Sequence, residues 1–169
     1  MIIPSLALAE RRQSIQRTIH SIRNASSEAV KIVVVVNGDR FDTGVLWDLR
    51  QLDDVELLQI DIGSPTAAQL RGRLAVETDF FCFLDDDDEL LPGALDCRAE
   101  LLERNPSAAF VVTGGYRSSS GIDFPLYNGL SSVPKDPIGE LLRQGWLCSG
   151  NHLFRTSEIQ TSFFEVTGS

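Results

Sequence analysis

Cysteine is scarce in this chain. Cys82, Cys97 and Cys148 form an odd set without paired spacing, which excludes a disulfide framework and points to a reducing, cytoplasmic setting. Basic residues are outnumbered: 15 Lys and Arg stand against 24 Asp and Glu, a net charge of -9 that excludes nucleic acid as a bulk electrostatic partner. No apolar run reaches the roughly 20 residues that a membrane helix needs, so only peripheral membrane contact stays open. Met1 to Ala9 is apolar and ends in Ala7-Leu8-Ala9 in the manner of a signal cleavage site, but it has no basic leader and holds Pro4. That stretch reads as a strand and a loop. Internal repeats and low-complexity tracts are also missing.

What is present fits one α/β domain over the 169 residues, long enough to bury a single substantial core. Met1-Ile2-Ile3 predicts a short buried strand closed by Pro4, because proline cannot serve a central ladder. Ile15, Ile19 and Ile22 recur at helical spacing from about Arg11 to Asn24, with Arg11, Arg12, Arg17 and Arg23 read as a solvated face. Lys31 to Val36 is the strongest strand, β-branched and buried on both faces, and it turns at Asn37-Gly38-Asp39. Thr43 to Leu52 predicts a helix, Val55 to Ile60 a strand, and Thr66 to Val76 a helix with Ala67, Leu70, Leu74 and Ala75 inward. Strand and helix alternate again through Phe80 to Leu84 and Pro92 to Asn105, implying a mostly parallel sheet flanked by helices. Beyond it come a strand at Ala109 to Thr113, an irregular excursion over Ser118 to Pro134, a helix at Pro137 to Gln144, and one more strand within Trp146 to Phe154.

The informative stretch is the apolar run Phe80-Phe81-Cys82-Phe83-Leu84, which breaks abruptly into Asp85-Asp86-Asp87-Asp88. Ligands in open α/β sheets sit beyond the carboxyl ends of strands. Adjacent carboxylates raise one another's pKa unless a cation or hydrogen-bond donors offset the charge. Oxygen-only ligation at such a place suits a divalent cation, Mg²⁺ or Mn²⁺, which completes its shell with water and substrate phosphates. Asp87 or Asp88 could instead cap the helix that Pro92 helps to start, which would account for one or two aspartates of the four. His152 reads as a packed or exposed histidine rather than a ligand, and Trp146 as core rather than a sugar-stacking surface.

These motifs, in this order, resemble the family 2 glycosyltransferases of the GT-A fold. Phe83-Leu84-Asp85-Asp86-Asp87-Asp88 before Pro92 and Leu95 is similar to the family's F-L-D-x-D-D segment. Ile2-Ile3-Pro4-Ser5 is similar to its first strand, Val33 to Gly38 to its second, and Ala67-Ala68 with Gly72 to its A-A-R-N-x-G helix. The resemblance implies a Rossmann-like nucleotide-diphospho-sugar transferase. Residues 1–105 would form the nucleotide-sugar-binding half and 106–169 the start of the acceptor-side half. It implies transfer of a sugar from a nucleotide-diphosphate donor to a saccharide or glycoconjugate acceptor, as in polysaccharide biosynthesis, with inversion and with a divalent metal at Asp87 and Asp88. Pro4, Ser5, Asn37, Asp39, Arg71, Asp85 and Asp87 would line the donor. Asn37 can read a base edge or simply make the turn. The family's aspartate at the second strand's end is Asn37 here, and its A-A-R-N arginine and asparagine are Gln69 and Leu70. Arg71 or Arg73 would then serve the diphosphate. The acidic motif that carries the base in inverting members has no counterpart before Ser169, so no base is assigned and the chain reads as truncated ahead of it. Two rivals follow: a non-catalytic nucleotide or sugar binding module, and a nucleotidyltransferase. Ser5 to Arg12 lacks the glycines that the latter's phosphate loop would show.

Overall fold

The computed structural model describes residues 1–127 and 129–164. The strands are β1 (Ile2–Ser5), β2 (Ile32–Asn37), β3 (Val55–Ile60), β4 (Phe80–Phe81), β5 (Phe110–Val112), β6 (Tyr116–Ser119), β7 (Ile122–Pro125) and β8 (His152–Arg155). The α-helices are α1 (Arg12–Asn24), α2 (Thr43–Arg50), α3 (Pro65–Leu74), α4 (Ala94–Arg104) and α5 (Pro137–Gln144), with short 3-10 turns at Ala9–Arg11 and Thr161–Phe164.

β1, β2 and β3 pair in parallel, with Ile2 opposite Val33 and Val34 opposite Leu57. Beyond its formal end, the β4 stretch runs on beside β1. Ile2 N donates to Cys82 O at 2.9 Å and Leu84 N donates to Ile2 O at 3.0 Å. β8 then lies antiparallel between β4 and β5. The continuous order is therefore β3-β2-β1-β4-β8-β5, with β8 reversed. An α/β architecture with a mostly parallel sheet is the expectation and is what the fold shows; the strand expected within Trp146 to Phe154 is β8, which enters the sheet between β4 and β5.

The β2 valines alternate between two cores, as period-2 geometry requires. Ile32, Val34 and Val36 pack with Ile15, Ile19 and Ile22 of α1, Leu46 and Leu49 of α2, and Leu95 and Leu102 of α4. Val33 and Val35 face Ala68 of α3 with Phe81 and Phe83. Both faces are covered, which is why the strand reads as an unbroken apolar run.

Three expectations change. α3 buries Ala68, Gly72 and Arg73, while Leu74 is 60% exposed. The reason is close approach: a Cβ at Gly72 would lie 2.3 Å from Ile2 Cγ2. Arg73 is drawn inward by the Phe81 ring, 4.7 Å from its guanidinium carbon, and by the carbonyls of Ile159 (2.8 Å) and Thr156 (3.0 Å). Next, β1 does not close at Pro4 but runs through it to Ser5, which pairs with Val36. Finally, Ser118 to Pro134 is not wholly irregular. β6 and β7 make an antiparallel hairpin over Ser120 (φ 53°) and Gly121 (φ 78°), two positive-φ residues as tight hairpins need. Its residues are exposed on both faces, so no alternation marked it.

Gly72→Ala is expected to destabilise the protein by roughly 1–3 kcal/mol through overpacking against Ile2, although alanine is the better helix former. Denaturant unfolding of the two proteins checks this.

Candidate functional site

The site lies where β1 and β4 part. Ile2 exchanges bonds with Cys82 and Leu84. The next residue of β1 to face β4 is Pro4, which has no N–H to give. The ladder ends there on the β4 side only, and the chain after Leu84 leaves the sheet as the acidic turn, with Asp88 N donating to Asp85 O at 3.2 Å.

The turn is held against β1 and α1. The Ser5 hydroxyl, 3% exposed with its residue, donates to Asp86 Oδ2 at 2.5 Å and accepts from Ala7 N at 2.9 Å. Along α1, Thr18 Oγ1 donates to Asp88 O (2.7 Å), Arg17 Nε pairs with Glu89 (3.1 Å), and Ser21 Oγ accepts from Leu90 N (3.0 Å). Gly93 N and Leu95 N then donate to Asn24 O, the last residue of the helix, and to Ala25 O, its C-cap. The turn is thus zipped to one helix from end to end. Capping does not explain the aspartates: α4 begins at Ala94, its N-cap is Gly93 at φ 71°, and no side chain caps it.

Asn37, at the carboxyl end of β2, is 4% exposed and donates from Nδ2 to Ser5 O at 3.0 Å. Its Oδ1 is buried with no partner among the described residues. Pro4, Ser5, Asn37 and the acidic turn therefore meet at one edge of the sheet. Asp39 is exposed two residues past β2. Arg71 is exposed on α3 and pairs with no acidic group among the described residues. Arg73, the alternative, is committed to the carbonyls of Thr156 and Ile159 on the α3 side.

The four carboxylates do different things. Asp86 turns inward to Ser5 and Arg11, and Asp87 turns to Arg11. The side chains of Asp85 and Asp88 make no hydrogen bond among the described residues. Partial burial pushes the Asp86 pKa up, aided by Asp87 and Asp85 and opposed by the Ser5 hydroxyl and Arg11. Asp88 is pushed up first by the protein that displaces part of its water, and then by repulsion from Asp85 and Asp87. Among the described residues no three His, Cys, Asp or Glu side chains converge as a ready-made metal cage. A hard cation such as Mg²⁺ does not require one, since it usually takes one or two carboxylates and keeps waters. The oxygen-only donors and the uncompensated charge on Asp88 fit such a cation.

Arg11 is the site residue that periodicity missed. It was grouped with Arg12, Arg17 and Arg23, which do lie on the outer surface, pairing with Asp48, Glu89 and Asp54. Arg11 instead occupies the turn before α1, where the 3.6-residue period does not apply. The strained Ala7 (φ 49°) and the Arg11 N to Leu8 O bond set its direction. His152 is packed: Nε2 accepts from Phe83 N (3.2 Å), so Nδ1 donates to Cys148 O (2.9 Å), and burial pulls its pKa down to about 4. Trp146 is 7% exposed, donates to Pro137 O and stacks on Phe110. Glu158 is exposed, and Glu165 lies outside the described residues.

Comparison with known proteins bears on the fold and the family. The crystal structure of S. aureus TarS 1-349 superposes with a TM-score of 0.64 at 15% identity, covering 92% of this chain and 46% of that one. The same protein in complex with UDP-GlcNAc gives 0.66 at 16% identity, covering 92% and 44%. Its complex with UDP gives 0.64 at 15% identity. These likenesses show the GT-A fold, and this chain spans under half of the length of the TarS chains it matches. No curated protein sequence matches it significantly. The family model for Glycosyl transferase family 2 matches residues 3–157, nearly the whole chain. This protein belongs to glycosyl transferase family 2.

Proposed function

We propose that the chain binds a nucleotide-diphosphate sugar at the edge where β1 and β4 part, and that it serves transfer of the sugar, with inversion, to a saccharide or glycoconjugate acceptor. The observation that carries this reading is the Ser5–Asp86 bond. It ties the acidic turn to the strand ends beside Asn37, so one edge of the sheet gathers carboxylates for a metal-bound diphosphate next to a buried amide oxygen that has no partner among the described residues. Binding of UDP-GlcNAc and UDP by the structurally similar TarS supports a nucleotide-sugar donor here.

In this reading Asp87 and Asp88 hold a divalent cation, Mn²⁺ or Mg²⁺, with Asp85 beside them toward the donor's ribose. Bound there, the cation supplies Lewis-acid neutralisation of the diphosphate leaving group. The chain's own residues orient the donor: Asp86 is locked by Ser5 so that the turn keeps its shape, Asn37 and Asp39 flank the base, and exposed Arg71 is available to phosphate oxygens. Inversion needs a carboxylate to take the acceptor's proton, and no described residue is assigned that role.

Thermal melts with UDP, GDP and TDP, each with and without Mn²⁺, test the reading. At a hundredfold excess over Kd a bound nucleotide stabilises by about 2.7 kcal/mol, a rise of about 5–10 °C for a chain of this size. The rise is expected with Mn²⁺ and is expected to collapse in Asp87→Asn and Asp88→Asn. Melts that no nucleotide moves would refute the donor site. Without metal, Asp88→Asn is expected to melt above the native protein at neutral pH. The raised Asp88 pKa means that the folded state holds that proton more tightly than the unfolded chain does. The proton's stabilising contribution is full below the ordinary Asp range and is lost as pH rises through the raised value. The variant's advantage should therefore fade on acidification, and a pH series of melts checks the sign.

A further inference from the structure

Of the four arginines at the start of the first helix and along it, three tie surface elements together and one, Arg11, meets the aspartates of the acidic turn. Arg11 Nη1 contacts Asp87 Oδ2 directly and lies 3.4 Å from Asp86 Oδ1. Its side chain is 41% exposed, that of Asp87 50%, and that of Asp86 13%. The guanidinium therefore covers one of the two solvent-facing carboxylates, Asp87 and Asp88, that stand in the sequence positions expected of metal ligands, and leaves Asp88 open. A carboxylate oxygen held by a guanidinium is not free to coordinate a cation, and two positive centres on one carboxylate repel.

We propose that Arg11 is the resident counter-cation of the acidic turn and that it makes metal binding conditional on the donor. In the empty protein the guanidinium neutralises Asp87 and shares Asp86. For a divalent cation to take Asp87, Arg11 has to swing out. A diphosphate arriving at the same edge of the sheet is the group best matched to receive it, because guanidinium pairs with phosphate oxygens through paired, charge-assisted hydrogen bonds. Metal and nucleotide would then bind with positive coupling, each lowering the cost that Arg11 imposes on the other. The pair is suited to such an exchange because it is solvent-exposed, and exposed ion pairs are weak enough to trade partners. The strained turn at Ala7 and the start of α1 hold the Arg11 backbone beside the turn, so only the side chain needs to move. This proposal rests on reading the edge where β1 and β4 part as the donor site.

The test is Mn²⁺ binding to the native chain and to Arg11→Gln by titration calorimetry, alone and with saturating UDP, GDP or TDP. Arg11 is exposed, so the variant should fold, and its melt verifies that; Arg11→Lys keeps the charge as a second variant. Without nucleotide, Arg11→Gln is expected to bind Mn²⁺ about two- to fivefold more tightly than the native chain, the range that an exposed ion pair spans. With nucleotide the order should reverse or level, because the diphosphate loses a partner, and Arg11→Lys should fall between. If a nucleotide binds but Arg11→Gln and the native chain take up Mn²⁺ equally in its absence, Arg11 is no competitor and this proposal alone is overturned. If none of the three nucleotides binds either protein, the donor-site reading fails and takes the proposal with it.

Discussion

The separation of β1 from β4 is the constraint on which the site depends. Both strands are central, so their backbone groups must be paired wherever they run side by side. They stay paired through Ile2 and Leu84, and then Pro4 has nothing to donate. From that point β1 remains bonded to β2 alone, and the chain past Leu84 is free to turn into solvent. A strand that lost pairing without leaving the sheet would bury unsatisfied groups. The parting of the strands is therefore a consequence of one missing N–H, and Ser5 and Asp85 to Asp88 are the residues at which the ladder opens.

Holding the turn in place is a separate matter, and α1 does it. An acidic turn repels itself and would spread if attached only at its ends. Thr18 and Ser21 bind its backbone, Arg17 and Arg11 its side chains, and Ser5 its most buried carboxylate. Even so, the Asp86 pKa stays raised because burial and like charge outweigh Ser5 and Arg11, and that of Asp88 is raised by partial loss of water and by like charge from Asp85 and Asp87. The protein thus retains an electrostatic deficit at one edge of its sheet, an arrangement common to binding sites and to structural ion-pair networks. Membership of glycosyl transferase family 2 gives that deficit a context, and the Arg11 contact shows that it is met in part from within the chain.

Much of the scaffold was legible before any coordinates. The valine run of β2, the strand Val55–Ile60 and the helix Pro137–Gln144 stand at or within a residue or two of their expected limits, because apolar periodicity and Gly or Pro punctuation act locally. The acidic tetrad stood out in the sequence because four charges directly after a doubly buried strand exceed what helix capping needs. The inward face of α3 was not legible. A pattern of apolar residues pointed to Leu74, whereas the helix is seated by a glycine and an arginine. The hairpin over Tyr116–Pro125 escaped for the opposite reason, since a ribbon exposed on both faces carries no alternation. The position of β8 between β4 and β5 likewise follows from contacts far apart in sequence.

The sequence by itself determined the class of fold, the order of its elements and the place where negative charge gathers, since each of these depends on residue type and near-neighbour spacing. Tertiary structure alone decided how that charge is shared. Whether an aspartate meets Ser5, Arg11 or open water depends on which distant backbone the sheet and α1 bring beside it, and no local pattern encodes that distance.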